Sequence, residues 1–166
     1  MARLYSACLR VSCFPPVWKK AKLVLLPKEG KEGGTPFAYR PICLLDEVDK
    51  LFERVVAGRV NRHLNRDGPQ LHRKQFGFRD SRSTIDAIQH VRALAGETTE
   101  RGGMAMDVAL DISNAFNTLP NDRIRGALIR HKIPAYLRRV LADYLRGRQL
   151  AYRDQDEVLV RRAVHW

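Results

Sequence analysis

Hydrophobic positions recur along the chain with two periods, and these periods predict where helices and strands lie. Apolar residues three and four apart predict helices over 3–12, from Asp46 to the Asp67-Gly68-Pro69 stop, from Ser83 to about Gly96, and over 122–131 and 135–146. Short apolar or alternating runs predict a buried strand over 21–26, an extended segment over 39–45, and a hairpin with arms at 149–153 and 158–164. The pattern therefore predicts helices and short strands mixed along the chain.

The two longest predicted helices each carry an apolar stripe. After the Asp46 cap the stripe runs from Val48 to Leu64, and the opposite face is basic at Lys50, Arg54 and Arg62. After the Ser83 cap the stripe consists of Ile85, Ile88, Val91, Leu94 and Ala95. Both stripes are predicted to face the core.

The stretch from Met104 to Pro120 contains the best candidate for a catalytic residue. Apolar side chains at 104, 106, 108 and 110 alternate with alanine or aspartate, ending at Asp111, which is the period of a half-buried strand. The alternation breaks after Asp111 and leaves its carboxylate at the C-terminal end of the predicted strand. There it suits a magnesium ion held against a phosphate or, equally, the capping of the following turn. Asp107 lies roughly 13 Å away on the same face, which is too far to share one metal site.

Composition narrows the class of protein. With 166 residues, 45% hydrophobic and 29% charged, the chain suits one soluble globular domain. The 30 lysines and arginines against 18 acidic residues give a net charge of +12, which favours a polyanionic partner such as nucleic acid. The three cysteines have no zinc spacing and are predicted to be reduced core residues. No membrane span or signal-peptide pattern is present, so an intracellular location, nuclear or cytoplasmic and not secreted, is expected.

Several other residues have both a functional and a structural interpretation. Arg40, on a rigid X-Pro segment, and Lys50 suit the clamping of an anionic substrate, or an ordinary solvated basic face. Phe76 and Phe78 suit stacking on the bases of a single strand, or the anchoring of their loop in the core. The Gly- and Lys-rich segment 27–36 is expected to be a mobile basic loop. The five histidines show no metal-ligand spacing, and no Walker-type or Ser/His/Asp signature is present.

Three blocks of the sequence together resemble the reverse transcriptase of non-LTR (LINE-type) retrotransposons. The first comprises Phe14-Pro15, Trp18-Lys19, Pro27-Lys28 and Tyr39-Arg40-Pro41-Ile42. The second is Gln75-Phe76-Gly77-Phe78-Arg79 with Ser83-Thr84 and Ile88. The third runs from Leu110 to Asn117 and is similar to the D-x-x-x-A-F-D motif of that family. The order and the intervals of the blocks fit as well, and the match covers nearly the whole chain.

The resemblance implies an α+β fold and a role for individual residues. Residues 1–102 would form a fingers-like region of helices with short strands, and 103–166 a partial palm with an incomplete sheet, truncated at the C-terminus. Asp111 would be the first of three metal-binding aspartates, and the carbonyl of Ile112 would help to hold the second magnesium ion. The nucleotide would be contacted by Arg40, Lys50, Asn114, Ala115 and Phe116, and the nucleic acid by Phe76, Phe78 and Arg79. The implied partners are an RNA template, a DNA primer and deoxynucleotide triphosphates, with no membrane.

Two departures from the family pattern bear on the expected activity. Asn117 stands where many members have aspartate, at a position that is not a metal ligand. The chain also contains no Asp-Asp pair and no G-x-P-Q-G block. One carboxylate cannot hold two magnesium ions in working geometry, so the parent protein is expected to copy RNA into DNA while this chain alone is inactive. The alternatives are a non-catalytic basic nucleic-acid-binding module and a decayed retrotransposon remnant.

Overall fold

The helices and strands follow one another largely in the predicted order. The computed structural model describes residues 1–30, 35, 38–112, 115–153 and 158–163, and only the backbone of residues 67, 116 and 117. The helices are α1 (Ala2–Val11), α2 (Glu47–Arg62), α3 (Thr84–Glu100), α4 (Ala115–Thr118), α5 (Asn121–Arg130) and α6 (Ala135–Leu145), with a 3-10 turn (Pro16–Lys19) and a π-helical turn (His63–Asp67). The strands are β1 (Lys20–Pro27), β2 (Tyr39–Leu44), β3 (Gln149–Arg153) and β4 (Leu159–Ala163). The predicted α+β class is confirmed.

Both predicted helix starts are confirmed, although they are built differently. Asp46 is the N-cap of α2, but its side chain makes no capping hydrogen bond. Ser83 is the N-cap of α3, where its hydroxyl accepts from the Asp86 N–H and the Asp86 carboxylate accepts from the Ser83 N–H and hydroxyl. Because the hydrogen bonds from Ser83 favour the charged carboxylate, they lower the pKa of Asp86. This capping box satisfies two amide groups at the helix start.

The chain divides into two compact units. The first unit is Met1–Pro69 with Thr118–Trp166, and the second is Gln70–Asn117. This division groups residues by the contacts within each unit. It does not test the predicted boundary between a fingers-like region that ends at residue 102 and a palm that begins at residue 103, so that boundary stays a prediction.

The core of the first unit is built around aromatic rings from three segments. Tyr5 of α1, Phe14 and Trp18 ahead of β1, and Phe52 of α2 have neighbouring ring centroids 5.3 to 6.0 Å apart. The stripe predicted for α2 faces this core through the buried Phe52 and Val56, with half-buried residues of the same stripe packed beside them. Truncating a buried ring of this kind costs about 3–5 kcal/mol, so these contacts hold the unit together.

A mixed sheet in the first unit has the strand order β2-β1-β3-β4. β1 pairs antiparallel with β2 and parallel with β3, while β3 and β4 form the predicted antiparallel hairpin. The prediction of a buried strand over 21–26 was wrong beyond Ala21, because Leu25 and Leu26 are 54% and 44% exposed. An apolar run favours an extended strand, but burial also requires a layer packed upon it. The burial pattern shows such cover only near the start of β1.

The second unit has no buried side chain among its described residues. The inward face predicted for α3 was therefore wrong, since its stripe residues Ile85, Ile88, Val91 and Leu94 are 43% to 63% exposed. The strand predicted over 104–111 was also wrong, because residues 103–112 form neither helix nor strand and are all exposed. Alternation sets the two faces of a strand, but a strand forms only when a neighbour takes up its backbone hydrogen bonds. In the described part of the chain, no strand pairs with this segment.

Two further sequence predictions concern the three cysteines and the glycine-rich loop over 27–36. The three cysteines are free, but only Cys8 is buried, and the core position predicted for Cys43 was wrong because that residue is exposed. Burial raises the pKa of the Cys8 thiol. Of the loop predicted over 27–36, residues 31–34, 36 and 37 lie outside the described residues. Among the described helices, none is long and apolar enough to cross a bilayer.

Candidate functional site

Asp111 lies in the exposed segment 103–112 of the second unit. Its neighbours Leu110 and Ile112 are 90% and 73% exposed, and the Asp111 side chain is itself exposed. The carboxylate is therefore presented to solvent, and none of the described residues of its segment is buried. Its predicted place at the end of a strand is not formed, for the reason given above.

The residues that follow Asp111 are only partly described. Asn114 and the side chain of Phe116 lie outside the described residues. Ala115 begins α4 and is exposed. The nucleotide contacts expected for these three residues, and the metal contact expected for the Ile112 carbonyl, stay predictions.

Arg40 and Lys50 lie on neighbouring elements of the first unit. Arg40 pairs with Leu26 across the sheet and is followed by Pro41 in the edge strand β2, where the missing proline N–H costs little. Lys50 lies near the start of α2, and its N–H donates to the Asp46 carbonyl at 3.1 Å. Both side chains are exposed, so both cations are available to an anionic ligand.

The Gln75-Phe76-Gly77-Phe78-Arg79 loop of the second unit is held by its own hydrogen bonds. Arg79 donates from Nη1 to the carbonyls of His72 and Gln75, at 3.1 and 3.5 Å. The side-chain amide of Gln75 donates to the Gly77 carbonyl at 3.1 Å. Arg79 thus shapes this loop, whereas the nucleic-acid contact expected for it stays a prediction.

The two phenylalanines of this loop have different environments. Phe76 is half-buried, with the Arg82 guanidinium carbon 5.6 Å and the His90 ring centroid 5.9 Å from its own ring centroid. Phe78 is 94% exposed and has a φ of 56°. A left-handed backbone is unfavourable for a bulky residue, so the loop holds this ring in water at an energetic cost. Phe76 thus packs against Arg82 and His90 while Phe78 is presented to solvent, and the base stacking expected for both rings stays a prediction.

Sequence reasoning missed two residues beside Phe76. An open cleft of about 430 Å³ is lined there by Arg82 and His90 together with Phe76, Ser81, Asp86 and Gln89. The buried Nε2 of His90 has no hydrogen-bond partner among the described residues. A signal existed for His90, because it follows the Ser83 cap by seven residues and so lies two turns along the same side of α3. A guanidinium, an amide and an imidazole around an aromatic ring suit contact with a nucleobase.

The block from Phe14 to Lys19 has a structural role in the first unit. The Phe14 N–H donates to Asp143 Oδ2 at 2.6 Å, and Lys19 Nζ donates to Asp143 Oδ1 at 2.9 Å. Lys19 is itself buried. Burial alone would raise the pKa of Asp143, but these two hydrogen bonds and the Lys19 charge outweigh it and lower the pKa. The block therefore ties the start of the chain to α6.

A second ionic cluster joins α2 to the end of α6. Asp49 is fully buried, and its Oδ2 has no hydrogen-bond partner among the described residues. Arg148 lies 3.9 Å from Glu53 Oε1, which is too long for a hydrogen bond, and its guanidinium carbon lies 4.4 Å from the centroid of the Tyr144 ring. Burial raises the pKa of Asp49, and burial likewise raises the pKa of Tyr144 to about 12. The cluster makes the stability of the first unit dependent on pH.

The described residues do not make a complete metal site. Asp111 supplies a hard oxygen donor of the kind that Mg²⁺ prefers. No group of three or more histidine, cysteine or acidic side chains placed to hold a metal ion occurs in the part of the chain that the structure describes. A single exposed carboxylate does not fit the pair of ions that the sequence resemblance implies.

Comparison with known proteins identifies related sequences. The family model described as reverse transcriptase (RNA-dependent DNA polymerase) matches residues 26–161. The probable RNA-directed DNA polymerase from transposon BS of Drosophila melanogaster is 30% identical over 164 residues, covering 99% of this chain and 18% of that protein. The RNA-directed DNA polymerase from mobile element jockey of the same species is 31% identical over 119 residues, covering 70% of this chain and 13% of that protein. The retrovirus-related Pol polyprotein from type-1 retrotransposable element R1 of Bradysia coprophila is 40% identical over 117 residues, covering 70% and 11%. The chain thus spans less than a fifth of the length of these relatives.

Proposed function

Because the chain belongs to the reverse transcriptase (RNA-dependent DNA polymerase) family, we propose that its parent protein copies an RNA template into DNA for a non-LTR mobile element. The observation that carries this proposal is the family match over residues 26–161, which includes every candidate site residue from Arg40 to Phe116. The chain would contribute the fingers and the first part of the palm. Its RNA template, DNA primer and deoxynucleotide triphosphates would be handled in the nucleus or cytoplasm.

In the parent protein, Asp111 and the carbonyl of Ile112 would be ligands for Mg²⁺. Two such ions, when bound, would supply the charge that an in-line phosphoryl transfer requires. The remaining ligands would come from the Asp-Asp motif of the family, and the 166-residue sequence contains no Asp-Asp pair. We therefore propose that this chain by itself does not extend a primer.

Two separate stretches of the sequence would contact the nucleotide, one that contains Arg40 and Lys50 and one at residues 114–116. Arg40 and Lys50 are exposed cations that suit the triphosphate. The amides of Asn114 and Ala115 would touch the same group, and the Phe116 ring would lie beneath the sugar and exclude a 2′-hydroxyl. Phe78, exposed and held in a left-handed backbone, would stack on a base of the nucleic acid, with Phe76 and Arg79 supporting its loop.

The first test is to sequence the source transcript through and beyond the codon for Trp166. A frame that continues into an Asp-Asp motif supports the polymerase, and the longer protein is then assayed for primer extension on an RNA template. Asp111→Ala should abolish extension, whereas Asp107→Asn, an exposed aspartate of the same segment, should leave it intact. Equal activity in all three proteins contradicts the role of Asp111. Extension by the 166-residue chain alone, lost in Asp111→Ala, contradicts its proposed inactivity.

The net charge of +12 favours a second candidate, a non-catalytic nucleic-acid-binding module. A stop codon directly after Trp166, together with RNA binding that weakens steeply with salt, would support this function. A stop codon without measurable RNA binding would instead indicate a decayed remnant.

A further inference from the structure

The first unit contains a basic groove that none of the predicted site residues occupies. Its volume is about 590 Å³, and it lies between the C-terminal half of α2 with the following π-helical turn and the first turn of α6. Its polar lining consists of Arg54, Arg59, Arg62, His63 and Tyr136, with Gly58 as part of its floor. We call these six residues the α2 groove.

The arginines of the α2 groove carry positive charge that no carboxylate of the described residues neutralises. Arg54, Gly58 and Arg62 follow one another at four-residue intervals, so they form one stripe that is roughly 12 Å long. Arg59 lies beside this stripe. Within the described residues, none of the three arginines forms an ion pair; the ion pairs found there are Lys19–Asp143 and Arg148–Glu53. Arg59 and Arg62 lie about one turn apart on α2 and repel each other, and Arg54 adds positive charge about two turns before Arg62, so the three together favour an anionic ligand.

Gly58 gives a second, independent observation. Glycine is the weakest helix former after proline, and it lies here in the interior of the 16-residue helix α2. A Cβ at Gly58 would meet no other atom within 4 Å, so no internal packing requires glycine at this position. The missing side chain instead leaves bare backbone between Arg54 and Arg62. An extended ligand can therefore approach the helix closely between the two charges.

The walls of the groove are already held in position. Arg59 donates to the Tyr136 hydroxyl at 3.1 Å, and its guanidinium carbon lies 5.8 Å from the centroid of that ring. His63 Nε2 lies 3.1 Å from the His131 carbonyl, and a Cβ at Gly68 would collide with the imidazole. Side chains held before binding lose less conformational entropy when a ligand arrives. α6 begins at this groove with neither an acidic residue in its first turn nor a side-chain cap, so its N-terminal dipole adds to the positive field.

From these observations we propose that the α2 groove binds the sugar-phosphate backbone of a nucleic acid strand, independently of base sequence. The elongated row of separated arginines matches a chain of phosphates, and guanidinium groups bind phosphate oxygens through paired hydrogen bonds. The open floor at Gly58 admits the backbone between them. Every residue of the groove belongs to the first unit, so the site does not depend on Asp111 or on the proposed polymerase activity.

The test measures binding of the full chain to a fluorescein-labelled single-stranded RNA of about 20 nucleotides, longer than a typical single-strand site. Fluorescence anisotropy at several salt concentrations compares the unmodified chain with Arg54→Gln/Arg62→Gln. The control is Arg3→Gln/Arg10→Gln, which removes the same charge from exposed positions of α1 in the same unit. Two lost phosphate contacts should lower the slope of log Kd against log salt by about 1.4, which corresponds to roughly 25-fold weaker binding at 0.1 M salt.

A steric variant makes the test independent of charge. Gly58→Leu introduces a good helix former into α2 but fills the floor of the groove, and it should weaken RNA binding. Gly126→Leu is the matched control, because Gly126 also lies within a helix and a Cβ there would meet nothing within 4 Å. Single-stranded DNA and an RNA–DNA hybrid of equal length, measured in parallel, show which strand form the groove holds.

The outcomes separate clearly. A larger loss for Arg54→Gln/Arg62→Gln and Gly58→Leu than for their controls, with any of the three nucleic acids, supports the proposal. Equal losses in variants and controls overturn it. A loss confined to binding of phosphatidylserine vesicles, with nucleic-acid binding unchanged, also overturns it and assigns the groove to a lipid surface.

Discussion

Removal of the Asp143 charge should destabilise the first unit more than any ordinary surface substitution. Asp143→Asn keeps an oxygen that can accept from the Phe14 N–H but leaves Lys19 without its counter-charge. The Lys19 side chain is only 9% exposed, and the Asp143 side chain is 33% exposed. Breaking a fully buried pair from one side costs about 3–5 kcal/mol, and breaking an exposed pair costs about 0–1 kcal/mol. Because water reaches one partner, we expect a loss of about 2–3 kcal/mol in the free energy of unfolding.

The loss can be measured by urea unfolding at about pH 7, where carboxylates are ionised. The chain has two tryptophans, so a Trp166→Phe background leaves the buried Trp18 as the fluorophore that reports this core. Glu97→Gln, which removes an exposed charge from α3, is the control and should change the free energy by less than about 0.5 kcal/mol. The double variant Lys19→Met/Asp143→Asn removes the stranded cation together with its partner. It should therefore cost at least about 1 kcal/mol less than the sum of the two single variants.

The pH dependence supplies the sharpest check. The pKa of Asp143 is lowered in the folded chain from its ordinary value of 3.8, so the charge contributes its full stability above pH 3.8. That stability is lost as the pH falls through the folded pKa. The difference between the unmodified chain and Asp143→Asn should therefore shrink below pH 3.8. Additive single variants, or a difference that does not change between neutral and acid pH, would refute the coupling of Lys19 to Asp143.

Three further predictions concern other parts of the chain. Ser83→Ala removes half of the capping box and should lower the stability of α3 by about 1 kcal/mol. The loss should be seen as faster amide exchange in the first turn of α3, and unchanged exchange would contradict the prediction. Phe78→Asn replaces an exposed ring by a residue that tolerates positive φ, so the stability against urea should be kept. Binding of single-stranded RNA should weaken roughly 5- to 150-fold per stacked base, and unaltered affinity would exclude stacking. Burial raises the pKa of Asp49, so the unmodified chain should lose stability as the pH rises from 3.8 through the folded pKa. Asp49→Asn has no carboxyl group to titrate at this position, so the urea midpoint of the unmodified chain should fall relative to that of the variant over that pH range. Parallel curves of urea midpoint against pH would show that Asp49 does not titrate in this way.

The sequence contains motifs that the folded chain explains, such as the Phe14–Lys19 block, and motifs that it does not explain. Phe14 and Trp18 lie in the core, and Lys19 is paired with Asp143, so this block is explained by packing and by one partly buried ion pair. Phe78, Arg54 and Arg62 are exposed, and none of them belongs to the core or to an ion pair of the described chain. Exposed aromatic rings and unpaired cations are the features that nucleic-acid partners use, so these residues are the ones to test for binding.

Local sequence determined most of the elements of this protein. The Ser83 cap, the stripe of α2, the stop at Asp67-Gly68-Pro69 and the hairpin arms all depend on residues close to one another along the chain, and the structure has them where the pattern predicts. The blocks around Asp111 and Phe76 likewise indicated the family from the order of residues alone. These features need no distant partner.

The tertiary structure decided which of these elements are covered. The alternation over 104–111 predicts a strand, and the stripe of α3 predicts a buried face, but a strand needs a paired neighbour and a stripe needs a second surface. In the described chain neither is supplied, so the segment that holds Asp111 and the stripe of α3 remain exposed. The pairing of Lys19 with Asp143, 124 positions apart, and the meeting of α2 with Tyr136 also lie beyond any local pattern. Periodicity specifies a face, whereas burial and charge pairing depend on what the rest of the chain brings to that face.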